Sequence, residues 1–188
     1  MKRFAPVART LAALLLAAAS HSLTFSQPKH EAKPMSVTVG TKAPAFTLYD
    51  TERKPRSLQE FLGKKVVIAF YPGAFTGACT KEVCALQDAM TVFNSFNAQV
   101  IGISIDSPFA NKAFSDANKL TFPLLSDFSR EISRSYVGLY EDFGGVKGYT
   151  AAKRSVFVLD ERGVVKYVWV TDAPGIEPPY DEVKAALK

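Results

Sequence analysis

Residues 64–84 read KKVVIAFYPGAFTGACTKEVC, and the interpretation of this stretch decides the rest. KKVVIAFY is a continuous run of β-branched and aromatic residues, the pattern of a strand buried on both faces. Pro72 and Gly73 then turn the chain. A polar, helix-compatible segment begins near Cys79 and carries Cys84 five residues further on. A strand that delivers a cysteine to the start of a helix places it among unpaired backbone N–H groups, at the positive end of the helix dipole. That position is expected to lower the thiol pKa, and the thiolate is the reactive form. Thr76 can aim a hydroxyl at the sulfur or at an incoming oxygen. Pro72 pre-sets the turn and removes one amide donor, which keeps the pocket tight. Without such chemistry, Cys79 would simply be a small buried hydrophobe.

The flanking sequence supplies a scaffold of alternating type. APAFTLYDTERK, before the central strand, gives a short alternating strand with Phe46 and Leu48 on one face. Ser57 followed by Glu60 is a capping-box pattern opening a short helix that Gly63 stops. ACTKEVCALQDAMTVFNSFN predicts a helix of about twenty residues, with Val83, Leu86, Met90, Phe93 and Phe96 in one apolar stripe. QVIGISID predicts a second buried strand, and Ser107-Pro108 cap and start the next helix. FPLLSD reads as extended and SREISRSYVG as a short helix ended by Gly138. LYEDFGGVKGYTAAK is irregular and glycine-rich. RSVFVLD-ERG-VVKYVWV is a hairpin, and YDEVKAALK, after Pro178-Pro179, is a terminal helix. Tyr71, Tyr167 and Trp169 are expected to pack the core. This order predicts an α/β fold, a mixed central sheet flanked by helices in a thioredoxin-like arrangement over residues 42–188.

The chain has 188 residues, 47% of them hydrophobic and 22% charged, with a net charge of +5. Lys2, Arg3 and Arg9 lie at the extreme N-terminus, and no acidic residue precedes Glu31; without these three, 20 basic residues face 18 acidic ones. No basic stripe with interleaved aromatics remains, so nucleic acid is not an expected partner. MKRFAPVAR, the apolar run TLAALLLAAA and the small residues up to Ser20 have the layout of a signal peptide spanning about residues 1–26, cleaved between residues 19 and 26. The run is too short for a permanent membrane span. Export, to a periplasm, is the expectation, with organelle targeting as the alternative. Residues 27–41 read as a flexible lead-in. His21 and His30 fall in these segments, so neither a catalytic triad nor a metal site is expected in the folded part, and no cofactor fingerprint is present.

The spacing of the two cysteines constrains their chemistry. In a continuous helix, five residues give a rise of about 7.5 Å and a rotation of about 140°, so the Cα atoms lie roughly 8 to 9 Å apart. A disulfide needs less than about 7 Å. A permanent bridge and an intact helix are therefore incompatible, whereas a transient bridge would require local unwinding. Cys84 could equally be a spectator packed in the core.

PGAFTGAC resembles the peroxiredoxin signature at Pro72, Thr76 and Cys79. CTKEVC resembles the peroxiredoxin Q, or bacterioferritin-comigratory-protein, subgroup, and the similarity runs through TFPLLSD and AKRSVFVLD, roughly residues 38–172. The resemblance implies a thiol peroxidase that reduces hydrogen peroxide and organic hydroperoxides. Cys79 would be the peroxidatic cysteine that becomes a sulfenic acid, Thr76 a hydrogen-bonding partner of the peroxide, and Arg154 the active-site arginine. Glu82 would orient that arginine, and Cys84 would resolve the sulfenic acid into a Cys79–Cys84 disulfide recycled by a thioredoxin-like dithiol. A homodimer is compatible with the resemblance. Gly77-Ala78 departs from the peroxiredoxin Q pattern, and PGAFTG is closer to type-5 and AhpE-like one-cysteine groups. A one-cysteine mechanism with an external thiol, and a thiol–disulfide oxidoreductase, are the competing functions; a redox sensor using Cys79 as a switch is a third.

Overall fold

The computed structural model describes residues 37–188; the expected leader and most of the lead-in lie outside them. A seven-stranded mixed sheet runs in the order β2-β1-β5-β4-β3-β8-β9. Its strands are β1 (Thr47–Asp50), β2 (Pro55–Ser57), β3 (Lys65–Phe70), β4 (Ala98–Ser104), β5 (Leu124–Ser126), β8 (Ser155–Leu159) and β9 (Val165–Val170). β3, β4 and β5 are mutually parallel, and β3 pairs antiparallel with β8. The apolar KKVVIAFY run is thus interior to the sheet, as its composition requires. Within the expected lead-in, Gly40 donates to the Val165 carbonyl and the Thr41 carbonyl accepts from Val165 N.

Side chains of β3 alternate between two apolar layers, as a pleated strand must. Val66, Ile68 and Phe70 join one core with Phe46, Leu48, Leu58, Phe61 and Phe157. Tyr136 closes this layer, with its ring against Phe46, Phe70 and Phe157. It belongs to α4 (Glu131–Tyr136). Val67, Ala69 and Tyr71 face the other layer, where they meet Cys79, Val83, Leu86, Phe93, Phe114, Val183 and Leu187. This second layer holds α1 (Gly77–Asp88), α2 (Met90–Ser95), α3 (Pro108–Ala117) and α5 (Tyr180–Ala185).

The predicted twenty-residue helix is two helices, α1 and α2, divided at Ala89 (φ −83°, ψ 0°). The apolar stripe survives the division: Val83, Leu86 and Phe93 are buried, and Met90 and Phe96 pack beside them. Ser57 and Glu60 act as expected, with Glu60 Oε1 accepting from Ser57 N at 2.7 Å, but the turn they open is a 3-10 helix, Leu58–Phe61. Ser107 Oγ accepts from Ala110 N at 3.2 Å and Pro108 opens α3. The irregular stretch contains a small two-stranded ribbon, β6 (Leu139–Tyr140) with β7 (Ala151–Ala152). Tyr71 is fully buried, whereas Tyr167 and Trp169 are partly buried. Gly102 leaves room for this packing, since a Cβ there would stand 2.6 Å from Leu124 Cδ2 and 3.3 Å from Tyr71 Cε1.

Candidate active site

The site is built where β3 ends. Pro72 and Gly73 are buried at the turn. Phe75 adopts a left-handed conformation (φ 63°), uncommon for a non-glycine residue and concentrated at functional turns. Its ring packs edge-on to Phe114 with centroids 5.1 Å apart. That bend leaves Thr76 extended immediately before Gly77, so Cys79 falls in the first turn of α1. The loop is anchored from beneath: Ala74 N donates to Asp106 Oδ2 at 2.8 Å. Asp106 belongs to a polar cluster in which the Ser104 hydroxyl lies 2.9 Å from its carboxylate and 3.1 Å from Asn111 Oδ1, to which Tyr71 donates at 2.7 Å.

Cys79 has no exposed surface. Thr76 Oγ1 donates to the Gly73 carbonyl at 3.0 Å, and the Thr76 hydroxyl and the Gly73 backbone lie near enough to the sulfur to favour its thiolate form. Arg154 comes from the residue before β8. Because Ser155 pairs with Phe70, the register brings Arg154 beside the end of β3. Its Nη2 donates to Cys79 Sγ at 3.3 Å, and its Nη1 donates to Glu82 Oε2. Glu82 is three residues after Cys79, hence on the same face of α1. Arg154 and Glu82 are 1% and 0% exposed, so the pair is a buried one.

Burial decides the proton balance. It pushes the Cys79 thiol above its ordinary value, and Glu82's charge adds to that. Arg154, the Thr76 hydroxyl and the Gly73 backbone all favour the thiolate without overcoming burial. The low thiol pKa expected from the helix terminus is therefore not what this sealed state has, because desolvation penalises the charged form. Burial likewise pushes Glu82 up to about 7 in spite of Arg154. Glu82 Oε1 is buried and accepts no hydrogen bond among the described residues.

Five of the expected residues converge here: Pro72, Thr76, Cys79, Glu82 and Arg154. Cys84 does not. It is half-buried on another face of α1, where its thiol lies 3.6 Å from Asn118 Oδ1 at the end of α3, and both cysteines are free thiols. Three further groups went unread in the sequence. Asp106 anchors the loop. Tyr149, from the irregular stretch, brings its hydroxyl to Gly73, 3.6 Å from where a Cβ would stand. The Pro174 carbonyl accepts from Arg154 Nε at 3.1 Å and Nη2 at 2.8 Å. Asp106 closes the apolar QVIGISID run just past β4, a position that could flag it; a backbone carbonyl leaves no residue-type signal at all. No cluster of three or more metal-ligating side chains occurs among the described residues.

A thioredoxin-like sheet with a sealed, arginine-paired cysteine at a strand-to-helix turn defines the peroxiredoxin class of thiol proteins. The chain belongs to the AhpC/TSA family, whose model matches residues 39–168. It is 40% identical over 154 residues to a chloroplastic peroxiredoxin Q of Sedum lineare, covering 80% of each chain. It is 38% identical over 135 residues to a putative peroxiredoxin bcp of Coxiella burnetii, covering 72% of this chain and 89% of the relative. Among solved structures, peroxidoxin BcpB from Mycobacterium tuberculosis superposes with a TM-score of 0.70 at 30% identity, over 79% of this chain and 95% of that one.

Proposed function

We propose that the protein is a thiol peroxidase in which the Cys79 thiolate attacks a hydroperoxide. The sulfur bonds to the terminal peroxide oxygen as the O–O bond breaks. Cys79 becomes a sulfenic acid, and the leaving alkoxide or hydroxide takes a proton to depart as alcohol or water. The observation that carries this reading is the contact between Arg154 Nη2 and Cys79 Sγ, two side chains that are both buried. A fixed guanidinium there opposes the burial penalty on the thiolate, and it also stabilises negative charge developing on the leaving oxygen. Thr76 supplies a hydroxyl to the same space, Pro72 holds the turn, and Glu82 holds the guanidinium.

In the second half-reaction, the Cys84 thiol attacks the sulfenic sulfur and water leaves, giving a Cys79–Cys84 disulfide that a thioredoxin-like dithiol reduces. The six residues from Cys79 to Cys84 must unwind for this, since the intact helix holds the sulfurs on different faces. The position of Cys84 against Asn118 favours a second reading, in which it stays in place and an external thiol resolves Cys79. Rapid mixing of the reduced protein with hydrogen peroxide and with an organic hydroperoxide, followed by mass spectrometry of the 79–84 peptide, tests both halves. Peroxide consumption that survives Cys79→Ser would overturn the first, and absence of a 79–84 bridge in the oxidised protein the second.

For location, the basic, apolar and small-residue order of residues 1–26 supports export to a periplasm, and the chloroplastic names of plant relatives make organelle targeting the competing destination. Fractionation of cells expressing the full chain with a C-terminal tag, with sequencing of the mature N-terminus, separates them; a tagged chain recovered uncleaved in the cytosol removes both.

A further inference from the structure

Arg154 distributes its five N–H donors unequally. Nη1 goes to Glu82 and Nη2 reaches Cys79, but Nε and Nη2 also converge on one backbone atom, the carbonyl oxygen of Pro174. Pro174 lies in residues 171–179, TDAPGIEPP, which join β9 to α5. Residues 172–176 are exposed. Exposed loops ordinarily turn their carbonyls to water. This one turns a carbonyl inward, and the chain on both sides holds it there.

At the near end, Thr171 N donates to the Arg154 carbonyl at 3.1 Å, so the segment leaves the sheet from the arginine's own backbone. The Tyr140 hydroxyl bridges the same two residues, accepting from Arg154 N at 3.3 Å and donating to the Thr171 carbonyl at 2.7 Å. Thr171 Oγ1 accepts from Ala173 N at 3.0 Å. Ile176 N donates to the Ala173 carbonyl at 3.0 Å, closing a four-residue turn with Pro174 in the second place, where its fixed φ suits a β-turn. At the far end, Pro178 is buried and Pro179 leads into α5, whose Val183 sits in the core together with Leu187 just beyond the helix.

We propose that the Thr171–Pro179 segment is a positioning element of the peroxidase site, its Pro174 carbonyl clamping the Arg154 guanidinium so that Nη2 faces the Cys79 sulfur. This rests on the peroxidase reading of Cys79. The physical need is plain. Held by Glu82 alone, a planar guanidinium can pivot about that contact and carry Nη2 away from sulfur. A second acceptor on the Nε–Nη2 edge fixes the plane. A carboxylate there would bring a second negative charge next to Cys79, and the charge of Glu82 already raises that thiol. A neutral carbonyl orients the arginine without that penalty.

A double-mutant cycle tests the clamp. Pro174→Gly frees the turn, and Thr171→Val removes the hydroxyl that holds Ala173; each is made in the natural chain and in Arg154→Lys, which lacks the planar fork. In the natural background each strap change is expected to slow peroxide oxidation of Cys79 on the order of tenfold, the scale of a hydrogen bond to a charged group. It should also raise the Cys79 pKa, followed by thiolate ultraviolet absorbance against pH. In Arg154→Lys the same changes should add nothing. Equal losses in the two backgrounds, or an unmoved rate and thiol pKa, overturn the clamp. If Pro174→Gly does not fold, Thr171→Val carries the same comparison. Natural protein that consumes no peroxide through Cys79 would instead sink the peroxidase reading, and the thiolate titration would still judge the clamp.

Discussion

Arg154 Nη2 and Cys79 Sγ lie 3.3 Å apart, although 75 residues separate them in the chain. The antiparallel pairing of β3 with β8 makes the contact, because it sets the residue before β8 beside the residue after β3. Fold and chemistry therefore depend on one register: a slip of a single residue would turn the guanidinium to the opposite face of the sheet.

Replacing Arg154 should leave the sulfur without the strongest of the groups that oppose its burial. Arg154→Gln, which removes the charge, is expected to slow peroxide oxidation by roughly 10²–10³-fold, the range for loss of one preorganised donor. The pH–rate profile should move to higher pH, because the thiol is already pushed up and loses its main counterweight. Stopped-flow rates between pH 5 and 9, a span of order four units about neutrality, give the answer, and an unshifted profile would remove the arginine from thiol activation.

Glu82 carries the opposite sign. Its charge raises the thiol, so Glu82→Gln should lower the Cys79 pKa provided Arg154 keeps its place. Stability should also change with pH. The carboxyl is raised from 4.5 to about 7, so between those values the folded chain holds a proton that the unfolded chain has lost. Its stabilising contribution is full below pH 4.5 and declines as pH rises through about 7. Urea unfolding of the natural protein and Glu82→Gln across this window should give curves that diverge with pH; parallel curves would contradict the assignment.

Asp106→Ala removes the acceptor that holds Ala74 N, leaving that amide unpaired. A cost of about 1–3 kcal/mol in stability is expected, together with slower reaction at Cys79 as the 72–76 turn loosens. Asp106→Asn keeps an oxygen at the same place and should restore most of both. Equal activity in the two variants would show that the loop holds its shape unaided.

Cys84→Ser separates the two resolving schemes. If Cys84 resolves, the variant forms a sulfenic acid that a dione reagent traps at Cys79, and turnover with a dithiol falls sharply. Undiminished turnover would leave the external-thiol scheme.

Much of this site could be read from local pattern. The buried strand, the Pro72-Gly73 turn and the start of α1 just before Cys79 are fixed by nearest neighbours in the chain. The roles of Arg154 and Glu82 were accessible only through family resemblance, because their meeting depends on sheet register and no single segment encodes it. The strand order belongs to the same category. The break at Ala89 has no helix-breaking residue to announce it. Pro174 and Asp106 act by binding or supplying backbone groups, so side-chain chemistry alone did not mark them. The direction of the thiol pKa is hidden for a related reason: a helix terminus is visible in sequence, but the complete burial of Cys79 arises only once α1 packs on the sheet.

Glu82 lies between the two cysteines on the same helix, and this has an electrochemical consequence. A bridge from Cys79 to Cys84 would unwind the turn that carries Glu82 and so strain or break its buried pairing with Arg154. Reduction would restore that pairing. The oxidised form would thereby be raised in energy relative to the reduced one, and each ~1.4 kcal/mol of that difference would make the couple about 30 mV more oxidising. The ion pair that orients the arginine in one half of the cycle would then favour the dithiol's return of electrons in the other.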